Sequence, residues 1–507
     1  MASRRDELNA YTFAKRRTLA AFLRPSPSGS EEGAPRPLRG FLPGTVVGVV
    51  ILAVFGAIGM FSPTAPEGWD RTQAHLIVAS DSTTRYVVLD TDGQKQLHPV
   101  LNTASAKLLL KDYTDEVVTV DEEVLDNGRI PHGATIGIPY APDRLPSAEE
   151  AETAKRWMVC ERPGTGGRAG QKAAFVLAGK EWAKAEGRNR LTGGQLMYVA
   201  DQATKKQFVI DASGTAYPLA DPAQEGLLSA LDTRGRAPQR VSPDWLKTFH
   251  RGSAVSIPKV PGEPGEPAGA LIGDGNDRYD QVGRVLKALD GTRMNYYVVL
   301  KGEVGRISEF TARLLLRSPQ LADVNRDELA ARVNGAVVDD STPFAGQGGK
   351  WPSRAPETVN NGSGTGRDTV CNTLRAMDGS GTELSTWAGT DFPATLPTGS
   401  ASAYATPGSG QVFRQIKGTD TKSGGIFLVT DTGLRYALQS NADGSGPDQG
   451  IGKSKSECTV GHRDDKCAQK LLGYDALTPA LIPDTWAEFL PKGPRLSQAD
   501  ARQPQSS

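Results

Sequence analysis

Four cysteines are the residues of this sequence best suited to covalent or metal chemistry: Cys160, Cys371, Cys458 and Cys467. No C-x-x-C pair and no histidine-rich spacing accompanies them, so a zinc site is not expected. An even number of cysteines is more simply explained by disulfides, and four cysteines allow three pairings. We favour Cys458 with Cys467, which closes a short loop, and Cys160 with Cys371, which connects two distant segments.

The segment GSGPDQGIGKSKS from Gly444 is the nearest approach to a phosphate-binding loop, because it contains Gly452-Lys453-Ser454. A P-loop needs G-x-x-x-x-G-K-[ST], so that backbone amides surround the phosphates and the lysine reaches the terminal ones. Pro447 stands where the first glycine should be, and the segment follows polar residues rather than a buried strand. We therefore predict a solvated, glycine-rich loop rather than a nucleotide site.

The other reactive side chains show no catalytic arrangement. The histidines lack H-E-x-x-H spacing, and no serine lies in a nucleophile-elbow motif. Paired carboxylates such as Asp339-Asp340 and Asp464-Asp465 are expected to be solvated surface. The sequence thus predicts no catalytic residue, no cofactor and no metal ligand. The histidines are His75, His98, His132, His250 and His462.

Composition limits the partners and the fold class. The 507 residues include 58 basic and 58 acidic side chains, so the chain lacks the net positive charge that nucleic-acid binding needs. The 57 glycines and 34 prolines predict many short strands and turns rather than long helices. We expect a β-rich fold that does not bind nucleic acid.

An apolar run extends from Phe41 to Phe61, FLPGTVVGVVILAVFGAIGMF, and contains no charged residue. About 20 residues at a rise of about 1.5 Å match the ~30 Å hydrocarbon thickness of a bilayer. The long segment before it and the length of the run argue against a cleaved signal peptide. The sequence therefore predicts a transmembrane helix over residues 41–62.

The flanking charges set the predicted orientation. Basic residues, which are retained in the cytoplasm, precede the run, whereas Glu67, Asp70 and a single Arg71 follow it. Residues 1–40 are therefore predicted to be a cytoplasmic basic arm and linker, and everything from about Ser62 to be outside. That compartment permits disulfides and holds little ATP. Within the arm, Arg4 to Leu23 is predicted to be an amphipathic helix or, alternatively, a solvated basic segment.

Beyond the apolar run the chain repeats one pattern four times, in which two strands flank a turn and a short helix follows. Gly93, Gly214, Gly302 and Gly433 are the expected turn residues. The hairpins are RYVVLDTDGQKQLHPV from Arg85, QFVIDASGTAYPLA from Gln207, NYYVVLKGEVGRISEF from Asn295 and GIFLVTDTGLRYALQS from Gly425. We predict an α+β ectodomain of four repeat modules, each a β-hairpin plus a short helix, around a β-rich central domain.

The intervals that lack the repeat contain Cys160 and Cys371 and are expected to fold together as that central domain. The predicted order is repeat 1 over residues 70–142, central domain over 143–197, repeats 2 and 3 over 198–264 and 265–334, central domain again over 335–412, and repeat 4 over 413–496. Residues 497–507 are predicted to be a disordered tail.

Taken together, the chain resembles the EccB family, a membrane core component of type VII (ESX) secretion systems. The resemblance lies in DELNAYTFAKRR and PLRG before the apolar span, LHPVLNTASAKLLL after the first hairpin, GATIGIPYAP, and WMVCERP. It implies an elongated ectodomain, a disulfide between Cys160 and Cys371, and assembly in the cell membrane with EccC ATPase, EccD, EccE and a mycosin protease. Cys458 and Cys467 are not part of the family pattern.

The resemblance implies a structural, membrane-anchored role in protein export, including self-association. Two alternative functions belong to other classes of protein. One is an extracytoplasmic nucleotide hydrolase, motivated only by Gly452-Lys453-Ser454. The other is a cell-wall-binding module, because repeated small β units often bind polymers.

Overall fold

The computed structural model describes residues 4–23, 41–61, 65–111, 117–164, 169–270, 272, 277–327, 329–333, 342–344, 350–363, 366–396, 402–418, 420–438, 451 and 467–505, without the side chains of residues 42 and 56–61. Its internal contacts divide the chain into two units. One unit is Met1–Glu67 with Val120–Asn127, and the other is Gly68–Thr119 with Gly128–Ser507.

Helices are short outside the N-terminal region. In chain order they are α1 (Arg4–Leu23), α2 (Phe41–Phe61), α3 (Thr103–Leu109), α4 (Glu122–Leu125), α5 (Ala148–Glu152), α6 (Ala183–Glu186), α7 (Leu227–Ala230), α8 (Pro243–Leu246), α9 (Glu309–Leu316), α10 (Cys467–Leu471), α11 (Asp484–Ala487) and α12 (Gln498–Ala501), with 3-10 turns at Gly179–Glu181, Asp277–Tyr279 and Pro319–Leu321.

The N-terminal unit contains α1 and α2. Helix α2 covers the apolar run from Phe41 to Phe61. In the part of the chain that the structure describes, no helix combines the length and the apolar character needed to cross a membrane. The apolar residues Leu8, Tyr11 and Leu19 of α1 are exposed.

The larger unit is built from strands. In chain order they are β1 (Leu76–Ala79), β2 (Arg85–Thr91), β3 (Gln94–Pro99), β4 (Val117–Val120), β5 (Arg156–Arg162), β6 (Gln171–Leu177), β7 (Gln195–Asp201), β8 (Gln207–Ile210), β9 (Thr215–Pro218), β10 (Gln239–Val241), β11 (His250–Arg251), β12 (Val285–Asp290), β13 (Arg293–Leu300), β14 (Glu303–Ile307), β15 (Ala331–Val333), β16 (Thr342–Pro343), β17 (Glu357–Thr358), β18 (Thr369–Asp378), β19 (Gly381–Gly389), β20 (Ala403–Ala405), β21 (Gln411–Ile416), β22 (Ile426–Val429), β23 (Arg435–Leu438) and β24 (Ala480–Pro483).

These strands form one central sheet and four others. The central sheet has the order β19-β18-β5-β6-β20, so it combines strands from both sides of the second and third sheets in the chain. The first sheet is β3-β2-β1-β4, the second β10-β7-β8-β9-β11 with β17 beside β7, the third β15-β12-β13-β14-β16, and the fourth β23-β22-β21-β24.

The four predicted hairpins are confirmed. The strand pairs β2–β3, β8–β9, β13–β14 and β22–β23 are antiparallel. The predicted turn glycines Gly93, Gly214, Gly302 and Gly433 all have φ between 76° and 82°. Glycine is favoured at such φ values because it has no Cβ to clash with the backbone.

The second, third and fourth sheets share a further feature, because the first strand of each pairs in parallel with a strand that follows the hairpin. These pairs are β7 with β10, β12 with β15, and β21 with β24. Parallel pairing needs a crossover, and the short helices α7, α9 and α10 lie within these crossovers. That the sheets are copies of one repeat stays a prediction.

The predicted disordered tail is wrong for residues 497–505. Helix α12 lies there, and Ala501 is fully buried. Pro504 pairs with Ile136, and the Gln505 side-chain amide donates to the Gly137 carbonyl at 2.7 Å. The polar composition of the tail predicts disorder, but burial against the first sheet provides the stabilisation that composition alone does not show.

Shared hydrophobic cores connect the sheets. One core combines the first and fourth sheets, with Val87 and Leu428 among its buried members. A second combines the central, second and fourth sheets. A third packs Phe310 and Leu314 of α9 against the second sheet. Separate cores cover the third sheet itself.

Candidate functional site

A disulfide cross-links two strands in the middle of the central sheet. Strands β5 and β18 are antiparallel, and their register places Cys160 directly opposite Cys371 with 4.0 Å between the Cα atoms. The two cysteines form a disulfide, as predicted, and both are fully buried. Because the bond closes a loop of 211 residues, it restricts the unfolded chain by on the order of 5 kcal/mol in the chain-entropy account.

The remaining predicted site residues lie elsewhere. Cys467 begins α10 and is disulfide-bonded. Its predicted partner Cys458 and the near P-loop residues Gly452, Lys453 and Ser454 lie outside the described residues. Within the described ranges, no group of His, Cys, Asp and Glu side chains could hold a metal ion.

Two tryptophans fix the second and fourth sheets to one face of the central sheet. Trp245 on α8 and Trp486 on α11 are both fully buried in the core that these sheets share. The Trp245 indole nitrogen donates to the Val159 carbonyl on β5 at 2.9 Å. On the same strand, the Trp157 indole donates to the Gln411 side chain of β21 at 2.8 Å. Strand β5 therefore contacts both neighbouring sheets.

Our sequence interpretation missed these tryptophans, although a signal was present. Residues 243–245 read PDW, and residues 483–486 read PDTW, each just before a polar turn. Proline suits the first turn of a helix because the missing N–H is unpaired there anyway. A search for aromatic residues after a Pro-Asp pair would have found both helices.

Hairpin turns also pack against the edge strands of the central sheet. A Cβ added at Gly214 would lie 2.6 Å from Leu384 Cβ of β19, and one added at Gly433 would lie 3.1 Å from the Ala403 carbonyl oxygen of β20. The Thr386 hydroxyl of β19 donates to the Asp211 carbonyl at 2.9 Å. The second and fourth sheets thus contact opposite edges of the central sheet.

An ion cluster connects α6 to the central sheet. Glu186 accepts from the Nε atoms of Arg156 at 3.0 Å and Arg375 at 2.9 Å, and from Arg190 Nη1 at 2.9 Å. Burial acts to raise the pKa of Glu186, but the hydrogen bonds from Arg375 and Arg156 outweigh burial and hold this pKa below its usual value. The ionised carboxylate therefore stabilises the contact between α6, β5 and β18.

The contacts described above have one strand in common. A disulfide, two indole hydrogen bonds and an ion cluster converge on β5, and each connects this strand to another part of the fold. The aromatic and aliphatic side chains around them are buried in one hydrophobic core. The arrangement can hold three sheets in a fixed geometry.

Several known proteins are similar to this chain in sequence. The family model described as type VII secretion system ESX-1, transport TM domain B, matches residues 1–506. A relative from Mycobacterium tuberculosis (strain ATCC 25618 / H37Rv), named ESX-3 secretion system ATPase EccB3, is 27% identical, with 92% of this chain and 83% of the relative covered. A relative from Mycolicibacterium smegmatis (strain MKD8), ESX-1 secretion system ATPase EccB1, is 27% identical, and the match spans 54% of that relative's length.

Solved structures show a similar fold. A chain in the structure of an intact ESX-5 inner membrane complex has a TM-score of 0.55 at 20% identity, and the match covers 100% of this chain and 96% of the other. The EccB3 dimer from the ESX-3 core complex gives a TM-score of 0.54 at 21% identity over 84% of this chain and 99% of that chain. With the family model matching nearly every residue, this chain belongs to the EccB family of type VII secretion systems.

Proposed function

We propose that this chain is a structural component of a type VII secretion complex and provides a rigid scaffold on the outer side of the cytoplasmic membrane. The observation that carries the proposal is the central sheet, in which two chain segments 211 residues apart are joined by Cys160–Cys371. The same sheet shares a core with the second and fourth sheets. A scaffold needs this kind of cross-linked body because its work is to hold partners at fixed positions.

Helix α2 is the proposed membrane anchor, with the N-terminus in the cytoplasm. Its support is the uncharged sequence from Phe41 to Phe61 and the basic residues that precede it. The export of the C-terminal part is supported by the buried disulfide, because such bonds persist in oxidising compartments.

The four flanking sheets are proposed to be repeats close to the boundaries predicted from sequence, although β7 and β21 cross those boundaries and β16 and β17 lie outside them. The support is a recurring contact in which a glycine lies against a ring of the neighbouring strand. Gly133 faces His98, Gly252 faces Tyr217, and Gly493 faces Tyr436, and a Cβ at any of these glycines would overlap the ring. The pairs occupy aligned positions in the first, second and fourth sheets.

The proposed partners are EccC, EccD, EccE, a mycosin protease and further copies of this chain. Support comes from related structures, one of an inner membrane complex and one of an EccB3 dimer. The test is purification of the tagged full chain from detergent-solubilised membranes of its own cells, followed by identification of bound proteins by mass spectrometry. We expect the EccC, EccD and EccE homologues to be enriched over a tagged, unrelated single-pass protein. Equal recovery with both baits would refute the assignment.

Nucleotide hydrolysis is the second candidate, because the matched relatives carry ATPase in their names. Lys453 is the residue that could contact a terminal phosphate. The full chain and its Lys453→Ala variant are compared for ATP hydrolysis and for export in cells. Hydrolysis that is absent, or equal in the two proteins, supports the scaffold. Loss of both activity and export in the variant would favour the enzyme. Retention of the ectodomain by peptidoglycan would instead support cell-wall binding.

A further inference from the structure

Glu161 is a buried carboxylate that the scaffold contacts described above do not require. It follows Cys160 on β5, and only 6% of its surface is exposed. Removing a carboxylate from water costs free energy unless donors or a positive charge surround it. The groups around this carboxylate therefore determine how readily it is protonated.

The carboxylate lies against the start of α8 in the second sheet. The Ser242 backbone N–H donates to Glu161 Oε2 at 2.9 Å, and the Ser242 hydroxyl donates to Oε1. The same hydroxyl accepts from the Trp245 backbone N–H at 3.3 Å and so begins the helix. Glu161 therefore connects the central sheet directly to the helix that carries the buried Trp245.

Charged groups approach Glu161 from two elements. Lys172 Nζ on β6 is 3.8 Å from Oε1, and its side chain is 45% exposed. Asp244 on α8 acts in the opposite sense, because two negative charges repel. On β10 the neutral Gln239 amide approaches the Glu161 backbone carbonyl at 3.5 Å.

The balance of these effects makes Glu161 easier to protonate than an exposed glutamate. Burial raises the pKa of Glu161, and this outweighs the opposing effect of the Ser242 hydrogen bonds and Lys172. A raised pKa in the folded state means that protonation favours folding. The resulting stabilisation is complete below the ordinary carboxyl pKa of 4.5 and is lost as pH rises through the raised value.

We propose that the contact between Glu161 and Ser242 is a pH-dependent device, which holds the start of α8 against the central sheet more firmly in mild acid than at neutral pH. On acidification Glu161 takes one proton from water. Its new O–H donates to the Ser242 hydroxyl oxygen, which continues to accept from Trp245, and the Ser242 hydroxyl hydrogen turns away from Glu161. The Ser242 N–H still donates to the other carboxyl oxygen. The buried charge disappears without loss of the contact to Ser242.

Thermal unfolding of the full chain in detergent tests the device, with wild type compared with Glu161→Gln between about pH 7 and about pH 4.5. Glutamine keeps the shape and hydrogen-bonding capacity but carries no charge. We expect its Tm to exceed that of wild type at neutral pH, and the difference to shrink in acid. Glu186→Gln is the control with the opposite sign, since its Tm should lie below wild type at neutral pH.

Hydrogen exchange at the Trp245 amide adds a local measurement. The ratio of exchange rates in Glu161→Gln and wild type cancels the intrinsic effect of pH. It should change by about tenfold for each unit by which the folded pKa exceeds the ordinary one. Lys172→Gln, which removes the positive charge 3.8 Å from the carboxylate, should move the transition to higher pH. A pH-independent ratio, or a Glu161→Gln variant less stable than wild type at neutral pH, would overturn the proposal.

Discussion

The four hairpin turns are alike in sequence but differ in what surrounds them. Gly214 and Gly433 pack against the edge strands of the central sheet, whereas no described atom lies within 4 Å of a Cβ built on Gly93 or Gly302. We call the first two the packed turns and the other two the open turns. All four need glycine for their positive φ, but only the packed turns also need it for space.

This difference indicates which parts of the chain depend on one another. The packed turns belong to the two sheets that also place Trp245 and Trp486 in the core of the central sheet. The open turns belong to the first and third sheets, which contact the remainder through other surfaces. A substitution that destabilises the central sheet should therefore affect the packed turns more than the open turns.

The largest effect is expected from removing the covalent bond of the central sheet. In Cys160→Ser with Cys371→Ser, the unfolded chain is no longer constrained by a closed loop of 211 residues, and we expect a loss of about 5 kcal/mol of unfolding free energy. Thermal unfolding of the full chain measures the loss. Hydrogen exchange should rise at the packed turns and stay near wild type at Gly93 and Gly302. A uniform rise over all four turns would contradict the comparison.

Gly214→Ala should have the next largest effect. Alanine at φ 79° is strained, and its Cβ would lie 2.6 Å from Leu384 Cβ, so the turn or the edge strand must shift. Together these costs are about 3 kcal/mol. In a chain that already carries Leu384→Gly, which has no Cβ at that position, Gly214→Ala should lower Tm by less than it does in the wild-type chain. If the double variant is simply additive, the turn does not press on β19.

The sequence predicted the turns but not their surroundings. A Gly between two β-rich runs indicates a hairpin because its conformational requirement is local, and all four examples were confirmed. The contact of Gly214 with Leu384 is set by tertiary packing between residues 170 positions apart, and no local pattern encodes it.

The pairing of Cys160 with Cys371 was predicted, because chemistry and family resemblance limited the choices. The sequence did not predict that α12 is ordered. Ala501 is apolar but its neighbours are polar, and their burial depends on the first sheet. The tryptophans of α8 and α11 were missed because PDW and PDTW differ in spacing by one residue.

Removing a partly buried charge beside the central sheet should also lower stability, by less than the substitutions above. Glu186→Gln weakens three arginine contacts beside the central sheet, and we expect a cost of about 2 kcal/mol at neutral pH, allowing for partial exposure. Because the folded pKa of Glu186 is lowered, wild type loses this stabilisation as pH falls through that pKa, and the two proteins should converge in acid.

Asp70→Asn provides the matched control in the first sheet region. The Lys95–Asp70 pair joins side chains that are 51% and 45% exposed, so solvent screens it. We expect a Tm close to wild type at neutral pH. If Asp70→Asn lowers Tm as much as Glu186→Gln does, ion pairs near the central sheet do not contribute more to stability than exposed ion pairs.

Among the glycine substitutions, the smallest effect is expected at the open turns. Gly302→Ala introduces only the strain of alanine at φ 76°, about 1 kcal/mol, because no described atom lies within 4 Å of the new Cβ. Gly93→Ala, at φ 82°, should behave alike although it lies in another sheet. The measurement is thermal unfolding of both variants beside Gly214→Ala, with local hydrogen exchange at each turn. If either open-turn variant costs as much as Gly214→Ala, backbone strain alone explains all four glycines and the distinction between packed and open turns fails. If both cost clearly less, the excess at Gly214 measures the contact between the second sheet and the central sheet.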